Sequence, residues 1–223
     1  MTIRCRYICQ CMALIKRMSS KMTEQVLDDA LIRDALKKQL HQQYGVGYTF
    51  EEVGMATHNV RLDMLQFANG LLIGYEIKSD ADDLKRLPNQ VASYPAMTDL
   101  NYLVVGDVLH DEAIKLLPDN WGIIRARLVN GVVNLKVERV AMLNSQLTFD
   151  ELMSHCRLPA IKKQIGALLP KSMRPSFRKL IKLQMGAEIQ KYIAQGVLDK
   201  NQVRQFMVTE FHNNLSSYKP DHI

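Results

Sequence analysis

The chain has 223 residues, 47% of them hydrophobic and 23% charged, with a formal net charge of +6 and a pI near 9.1. That length and composition allow one substantial buried core and exclude an intrinsically disordered chain. No apolar run is long enough to span a bilayer, and the basic balance points to a polyanionic partner.

Residues 1–21 carry Arg4, Arg6, Lys16, Arg17 and Lys21 with no acid, and they contain Cys5, Cys9 and Cys11. The apolar run from Tyr7 to Ile15 is broken by Gln10 and lacks a small-residue cleavage site, so it reads as a disordered or mis-assigned extension rather than a targeting segment. Cys156 is distant, and no Cys-x-x-Cys pair occurs. This pattern argues against structural zinc and suits free thiols in a reducing cytoplasm. Thr23 can cap an amphipathic helix that runs to Tyr44, with Leu27, Leu31, Ala35 and Leu40 facing inward and Gly45 ending it.

Strands are expected near 47–53, 59–68 and 71–78. Asn69-Gly70 between the last two is a strong hairpin signal, because both residues of a two-residue turn take positive φ. Counting outward from Ala68 and Leu71 places Asp63 opposite Glu76. Side-chain alternation then puts Arg61 and Lys78 on the same face, with Leu62, Met64, Leu71, Ile73, Tyr75 and Ile77 on the other. One face reads as core and the other as charged. Two carboxylates about 5 Å apart repel. Either a divalent cation bridges them, or Arg61 and Lys78 neutralise them in an exposed ion quartet.

Ser79 to Met97 reads as a helical segment in two parts, with Ser79 capping through Asp82 and Pro88 opening the second run. Gln90 and Tyr94, four apart, share one face of it. Asp80, Asp82 and Asp83 read as caps and helix N-terminal charges. A Tyr102–Gly106 strand, a helix near 110–117 begun by Asp111-Glu112, and strands near 121–127 and 132–140 follow. Trp121 lies among them as a packing residue. The pattern is α/β: a mixed sheet flanked by helices. From Thr148, with Glu151 as a capping-box partner, it becomes helical near 158–169, 176–195 and 199–213, and the residues from 214 on read as a frayed tail.

The order Asp63, Glu76-Ile77-Lys78, Gln90-x-x-x-Tyr94 resembles the PD-(D/E)XK nuclease superfamily, in particular its RecB-like branch with a Gln-x-x-x-Tyr helix after the catalytic strand. Residues 27–124 are also similar to small bacterial and phage proteins of that superfamily related to the MmcB DNA-repair proteins. The cues are Gly74-Tyr75-Glu76-Ile77-Lys78-Ser79-Asp80, Leu87-Pro88-x-Gln90-Val91-x-x-Tyr94, Leu103-Val104-Val105-Gly106 and Trp121-Gly122-Ile123. The resemblance implies a restriction-endonuclease-like core over 22–142 and a metal-dependent DNA nuclease. Asp63 and Glu76 would be ligands to Mg²⁺ or Mn²⁺, with the Ile77 carbonyl as a further one. Lys78 would assist the nucleophile, while Gln90 and Tyr94 would position phosphate or water. A further acid usually comes from upstream, and Glu52 is the choice here, with Glu51, Asp28 and Asp29 as rivals. Leu62 stands where the superfamily has its nominal proline.

Charge is unevenly placed. Residues 22–156 sum to −7, whereas 157–182 hold eight basic residues and no acid. Lys162, Lys163, Lys171, Arg174, Arg178, Lys179 and Lys182 could therefore contact DNA phosphates that an acidic core repels. Leu158, Ile161, Ile165, Leu168 and Leu169 form a stripe that would pack this 143–213 helical region on the sheet. The alternative from another class is a catalytically inactive nucleic-acid-binding or accessory protein that retains the fold. A homo-oligomer, or a repair or phage protein partner, is compatible with either reading.

Overall fold

Two Asn-Gly turns set the frame of the sheet. Asn69-Gly70 (φ 52° and 77°) and Asn130-Gly131 (φ 52° and 76°) supply the paired positive φ of tight hairpins. The computed structural model describes residues 26–54, 60–144, 146–147 and 149–217. The expected caps Thr23 and Thr148, the extension 1–21 and the last residues of the tail lie outside them.

The fold is α/β. Helix α1 (Asp29–Tyr44) is followed by β1 (Thr49–Gly54), β2 (Arg61–Ala68) and β3 (Leu71–Lys78), then α2 (Leu87–Ser93) with a 3₁₀ turn at Tyr94–Ala96. Next come β4 (Leu100–Gly106), α3 (His110–Lys115), β5 (Gly122–Val129) and β6 (Val132–Arg139). The six strands lie in sequence order, antiparallel through β3, parallel from β3 to β5 and antiparallel again at β6. Five helices complete the described chain: α4 (Phe149–Ser154), α5 (Leu158–Leu168), α6 (Arg174–Lys179), α7 (Lys182–Ala194) and α8 (Lys200–Ser217).

Asp28 caps α1, its carboxylate accepting from Leu31 N. Ile32, Leu36 and Leu40 form the buried stripe, so the expected Leu31 and Ala35 are each displaced by one residue. That stripe packs on Met64, Ile73, Tyr75, Ile77, Val104 and Ile124. The opposite sheet face, with Leu65, Phe67, Leu72, Leu103, Val105 and Ile123, is covered by Leu87 and Tyr94 of the β3–β4 connection and by the C-terminal helices. The expectation of one core face and one solvated charged face is thereby corrected. Central strands with parallel neighbours are covered on both sides, so Glu76 and Lys78 are buried.

Other expectations also shift. Residues 79–86 form turns, not a helix: Asp82 Oδ2 accepts from both Ser79 N and Ser79 Oγ, which closes a local turn in place of an i→i+4 ladder. Asp80 is drawn instead toward β4, accepting from Val108 N at 2.9 Å, and a Cβ at Gly106 would lie 2.2 Å from its Oδ1. The helix expected over 176–195 breaks where Leu180 and Ile181 turn extended, and Gln184 Oε1 accepts from Ile181 N to start α7. Leu168 of the expected stripe is exposed, while Ile161, Ile165 and Leu169 are buried. Helix α8 continues to Ser217, so 214–217 are helical, not frayed.

Arg204 ties α8 to the hairpin, reaching Asp99 Oδ2 at 2.6 Å and the Gly70 carbonyl at 3.3 Å, while Asp99 also accepts from Leu72 N at 2.8 Å. Asp99 is largely buried. Arg204→Ala, which leaves that carboxylate without its cation, is expected to lower stability by about 2–4 kcal/mol. Chemical denaturation checks this, and a change under about 0.5 kcal/mol would remove the tether from the account.

Candidate active site

The β1–β2 ladder pairs Glu51 with Met64 and Val53 with Leu62 but skips Glu52 and Asp63, and Glu52 stands at φ 53°. That break frees the Asp63 main chain and re-aims its neighbours. Leu62 leaves the α1 side, where alternation had put it, and packs with Val53 and the opposite cluster. The freed Asp63 carbonyl accepts from Arg33 Nη1 of α1 at 2.7 Å. Asp63 Oδ2 accepts from Ile77 N at 2.8 Å, and its Oδ1 lies 3.8 Å from Arg33 Nη2.

Asp63 thus fixes itself to β3 beside Glu76, as the hairpin count requires: paired positions from Met64/Tyr75 to Ala68/Leu71 keep one register, and Asp63/Glu76 is its next step. Glu76 is wholly buried, with Lys78 Nζ at 2.5 Å from Oε1 and the Tyr94 hydroxyl donating to Oε2. Tyr94 Oη also lies 3.3 Å from the Arg61 carbonyl, and its ring packs on Trp121 with centroids 5.5 Å apart. Gln90, one turn before Tyr94, is also buried, and its Oε1 has no hydrogen-bond partner. The residues expected at 63, 76, 78, 90 and 94 therefore come together.

Electrostatics follow from this crowding. Burial, then the adjacent Glu76 charge, pushes the Asp63 carboxyl up to about 7, against opposing help from Ile77 N–H, Lys78 and Arg33. Burial and the neighbouring carboxylates hold the Tyr94 hydroxyl well above its ordinary value, so it stays a donor.

Asp63, Lys78 and Gln90 border a cleft of about 850 Å³, lined also by Asp29 and Arg33 of α1, Glu52, Arg61 and Ile77 of the sheet, and Asp82, Arg86 and Asn89; Glu76 and Tyr94 lie buried behind its wall. Glu52 reaches it but pairs with Arg33 Nη2 at 3.1 Å and Arg61 Nη1 at 3.2 Å. Arg61 is exposed and serves Glu52, not Asp63 or Glu76, so the expected ion quartet does not form. Among the described residues no three His, Cys, Asp or Glu side chains converge as a metal-ligand cluster. Sequence reasoning missed Arg33, Arg86 and Asn89. The i,i+4 spacing of Asp29 and Arg33 announces their ion pair at 2.9 Å, but nothing local reveals that the same guanidinium reaches β2.

The basic C-terminal residues divide. Arg174 donates to the Leu169 and Ala167 carbonyls, closing the end of α5, and Lys182 Nζ donates to the Ser154 carbonyl. Lys163, Lys171, Arg178 and Lys179 are exposed, and Lys162 is partly so.

A family model described as "Bacteriophage P4 protein cII" matches residues 17–220. The chain belongs to that family. Within the bacteriophage P4 protein cII family, Protein cII of Enterobacteria phage P4 is 23% identical over 207 residues, covering 92% of this chain and 72% of the phage protein. The match spans the sheet, the cleft and the C-terminal helices together, and it fits the phage context expected from the sequence. No solved structure matches. No helix among the described residues is long and apolar enough to cross a membrane.

Proposed function

We propose that the cleft hydrolyses DNA phosphodiesters with Mg²⁺ or Mn²⁺, in the manner of the PD-(D/E)XK nucleases that this residue order resembles. The observation that carries the reading is that Asp63, Lys78 and Gln90 line one cleft, with Glu76 buried directly behind it, held by Lys78 and Tyr94.

The donor set fits a hard cation. Mg²⁺ takes one or two carboxylates and fills its remaining positions with water and phosphate oxygens. Asp63 and Glu76 would supply the carboxylates; burial does most to raise Asp63, and the share that comes from the Glu76 charge is what a cation would relieve. The unpaired, buried Gln90 Oε1 and the Ile77 carbonyl at the cleft wall are neutral oxygens suited to complete the set. Glu52 is neutralised by two arginines and stands outside it. When bound, the cation supplies Lewis acidity toward the phosphoryl oxygen and a lowered pKa for attacking water.

The chain's own residues provide the rest. Lys78 holds its ammonium against Glu76, where it can stabilise charge developing on phosphate. The Tyr94 hydroxyl and the Ile77 N–H fix the two carboxylates in place. Arg33, Arg61 and Arg86 offer guanidinium groups at the cleft for flanking phosphates.

One observation favours a second reading, a DNA-binding module without cleavage: both Glu76 oxygens are already engaged within the protein. A panel of single-stranded, double-stranded and branched DNA separates the two. The nuclease reading expects cleavage that needs Mg²⁺ or Mn²⁺, stops with chelator and falls at least about 100-fold in Asp63→Asn. The binding reading expects salt-sensitive binding with no cutting, weakened when Lys163, Lys171, Arg178 and Lys179 are neutralised. Absence of cleavage across the whole panel would falsify the first.

A further inference from the structure

One carboxylate of the cleft stands where regular strand geometry would not put it. Glu52 has φ 53°, a left-handed conformation that costs a residue with a Cβ about 1–2 kcal/mol. The β1–β2 register is the same on either side of it, with Glu51 against Met64 and Val53 against Leu62, so an unbroken ladder would set Glu52 directly opposite Asp63. Two acids so placed repel. The ladder omits that pair, and Arg33 of α1 reaches both residues, with Nη1 on the Asp63 carbonyl and Nη2 at 3.1 Å from Glu52 Oε1.

The other oxygen of the same carboxylate, Oε2, accepts from Arg61 Nη1 at 3.2 Å. Glu52 therefore offers two oxygens on one singly charged centre to two guanidinium groups. A phosphodiester offers the same, and guanidinium groups suit either anion. Both arginines line the cleft that Asp63 and Lys78 border.

Arg33 stays fixed whether or not Glu52 is there. Its Nε and Nη2 reach Asp29 at 2.9 and 3.2 Å, and its Nη1 holds the Asp63 carbonyl at 2.7 Å. The Arg61 and Glu52 side chains are 64% and 51% exposed, so their contact is weak and exchangeable. Replacing the carboxylate by another anion at this place needs no rearrangement of Arg33.

We propose that Arg33 and Arg61 form the seat for a DNA phosphate flanking the one to be cut, and that Glu52 fills this seat in the free protein and is displaced as the strand enters. The inference rests on the reading of the cleft as a DNA site and adds to it a resident competitor. The left-handed backbone at Glu52 is what carries the carboxylate to the two arginines, and strain of this kind persists at sites that use it. When the strand leaves, the carboxylate returns, so the cleft holds phosphate less tightly than its arginines alone would.

Binding of labelled single-stranded and double-stranded DNA in EDTA, read by fluorescence anisotropy, tests this apart from cleavage. Glu52→Gln should tighten binding about five- to tenfold with unchanged circular dichroism, since the pairs it breaks are half-exposed. It should also steepen the fall of log K with log salt by about 1, because in the parent the displaced carboxylate takes up a counterion as the phosphate releases one. Arg61→Gln should weaken the Glu52→Gln protein about fivefold or more and the parent about twofold or less. Were Glu52 only bulk negative charge, those two losses would be equal. Equal affinities of parent and Glu52→Gln, equal Arg61→Gln losses in the two backgrounds, or no binding by either protein overturns the proposal. The same proteins with Mg²⁺ keep this result distinct from the nuclease reading. Tighter binding by Glu52→Gln with no cutting by any of them leaves the phosphate seat and removes the nuclease, whereas cutting by the parent with no gain in Glu52→Gln does the reverse.

Discussion

Lys78→Met is expected to destabilise the protein by about 3–5 kcal/mol, because it leaves the wholly buried Glu76 carboxylate without its ammonium partner. Tyr94 still donates one hydrogen bond, but a neutral donor does not replace a charge in a medium of low polarisability. Glu76→Gln combined with Lys78→Met removes both charges, and most of the lost stability should return. Urea unfolding of the single and double variants measures the coupling. A loss below about 1 kcal/mol for Lys78→Met would mean that water reaches the pair. The result also governs how cleavage assays are read: a Lys78 variant that does not cut is informative only if it is folded, so Asp63→Asn, at a less buried position, is the cleaner probe.

The second large effect is a pH dependence that belongs to Asp63. Its carboxyl titrates near 7 in the folded protein and near 3.8 when unfolded. Between those values the native state holds a proton that the unfolded chain has released, so stability falls as pH rises from about 4 to about 7 and is level above that. A displacement of that size corresponds to about 4 kcal/mol at most. Asp63→Asn should be flat across the window and more stable than the parent at pH 8. Mg²⁺ should reverse the order for the parent alone, since a cation favours the ionised carboxylate. Melting curves of both proteins at pH 5 and pH 8, with and without Mg²⁺, check each arm. Parallel pH profiles would show that Asp63 is hydrated and ordinary, and a Mg²⁺ effect equal in both proteins would place the ion elsewhere.

Much of the sheet was legible because its signals are local. Asn-Gly turns fix register by backbone geometry alone, so Asp63 could be set beside Glu76 by counting. Asn130-Gly131 carries the same signal and extends β5 to Val129, two residues past the end expected from its apolar run. What escaped was settled by distant chain. Polar alternation in Leu72, Gly74, Glu76 and Lys78 looked like a solvated face, and only the packing of Tyr94, Phe177 and Phe211 into the same cluster shows it to be an interior. The bend at Leu180-Ile181 has no glycine or proline to announce it. Arg33 and Glu52 acquire meaning only through the interruption in the β1–β2 ladder, which no short-range pattern encodes.

Every strand in this sheet neighbours the one before it in the chain. Each pairing therefore closes a short stretch of polypeptide and loses little chain entropy. The clasp between Arg204 and the Gly70 carbonyl is of another kind, joining positions 134 residues apart. It cannot form before α8 has emerged from the ribosome, and until then Phe67 at the hairpin end of the sheet lacks the Phe211 ring that packs on it. Assembly of this molecule accordingly has a direction: the platform precedes its lid, and α8, synthesised after every strand of the sheet, is the helix that seals it.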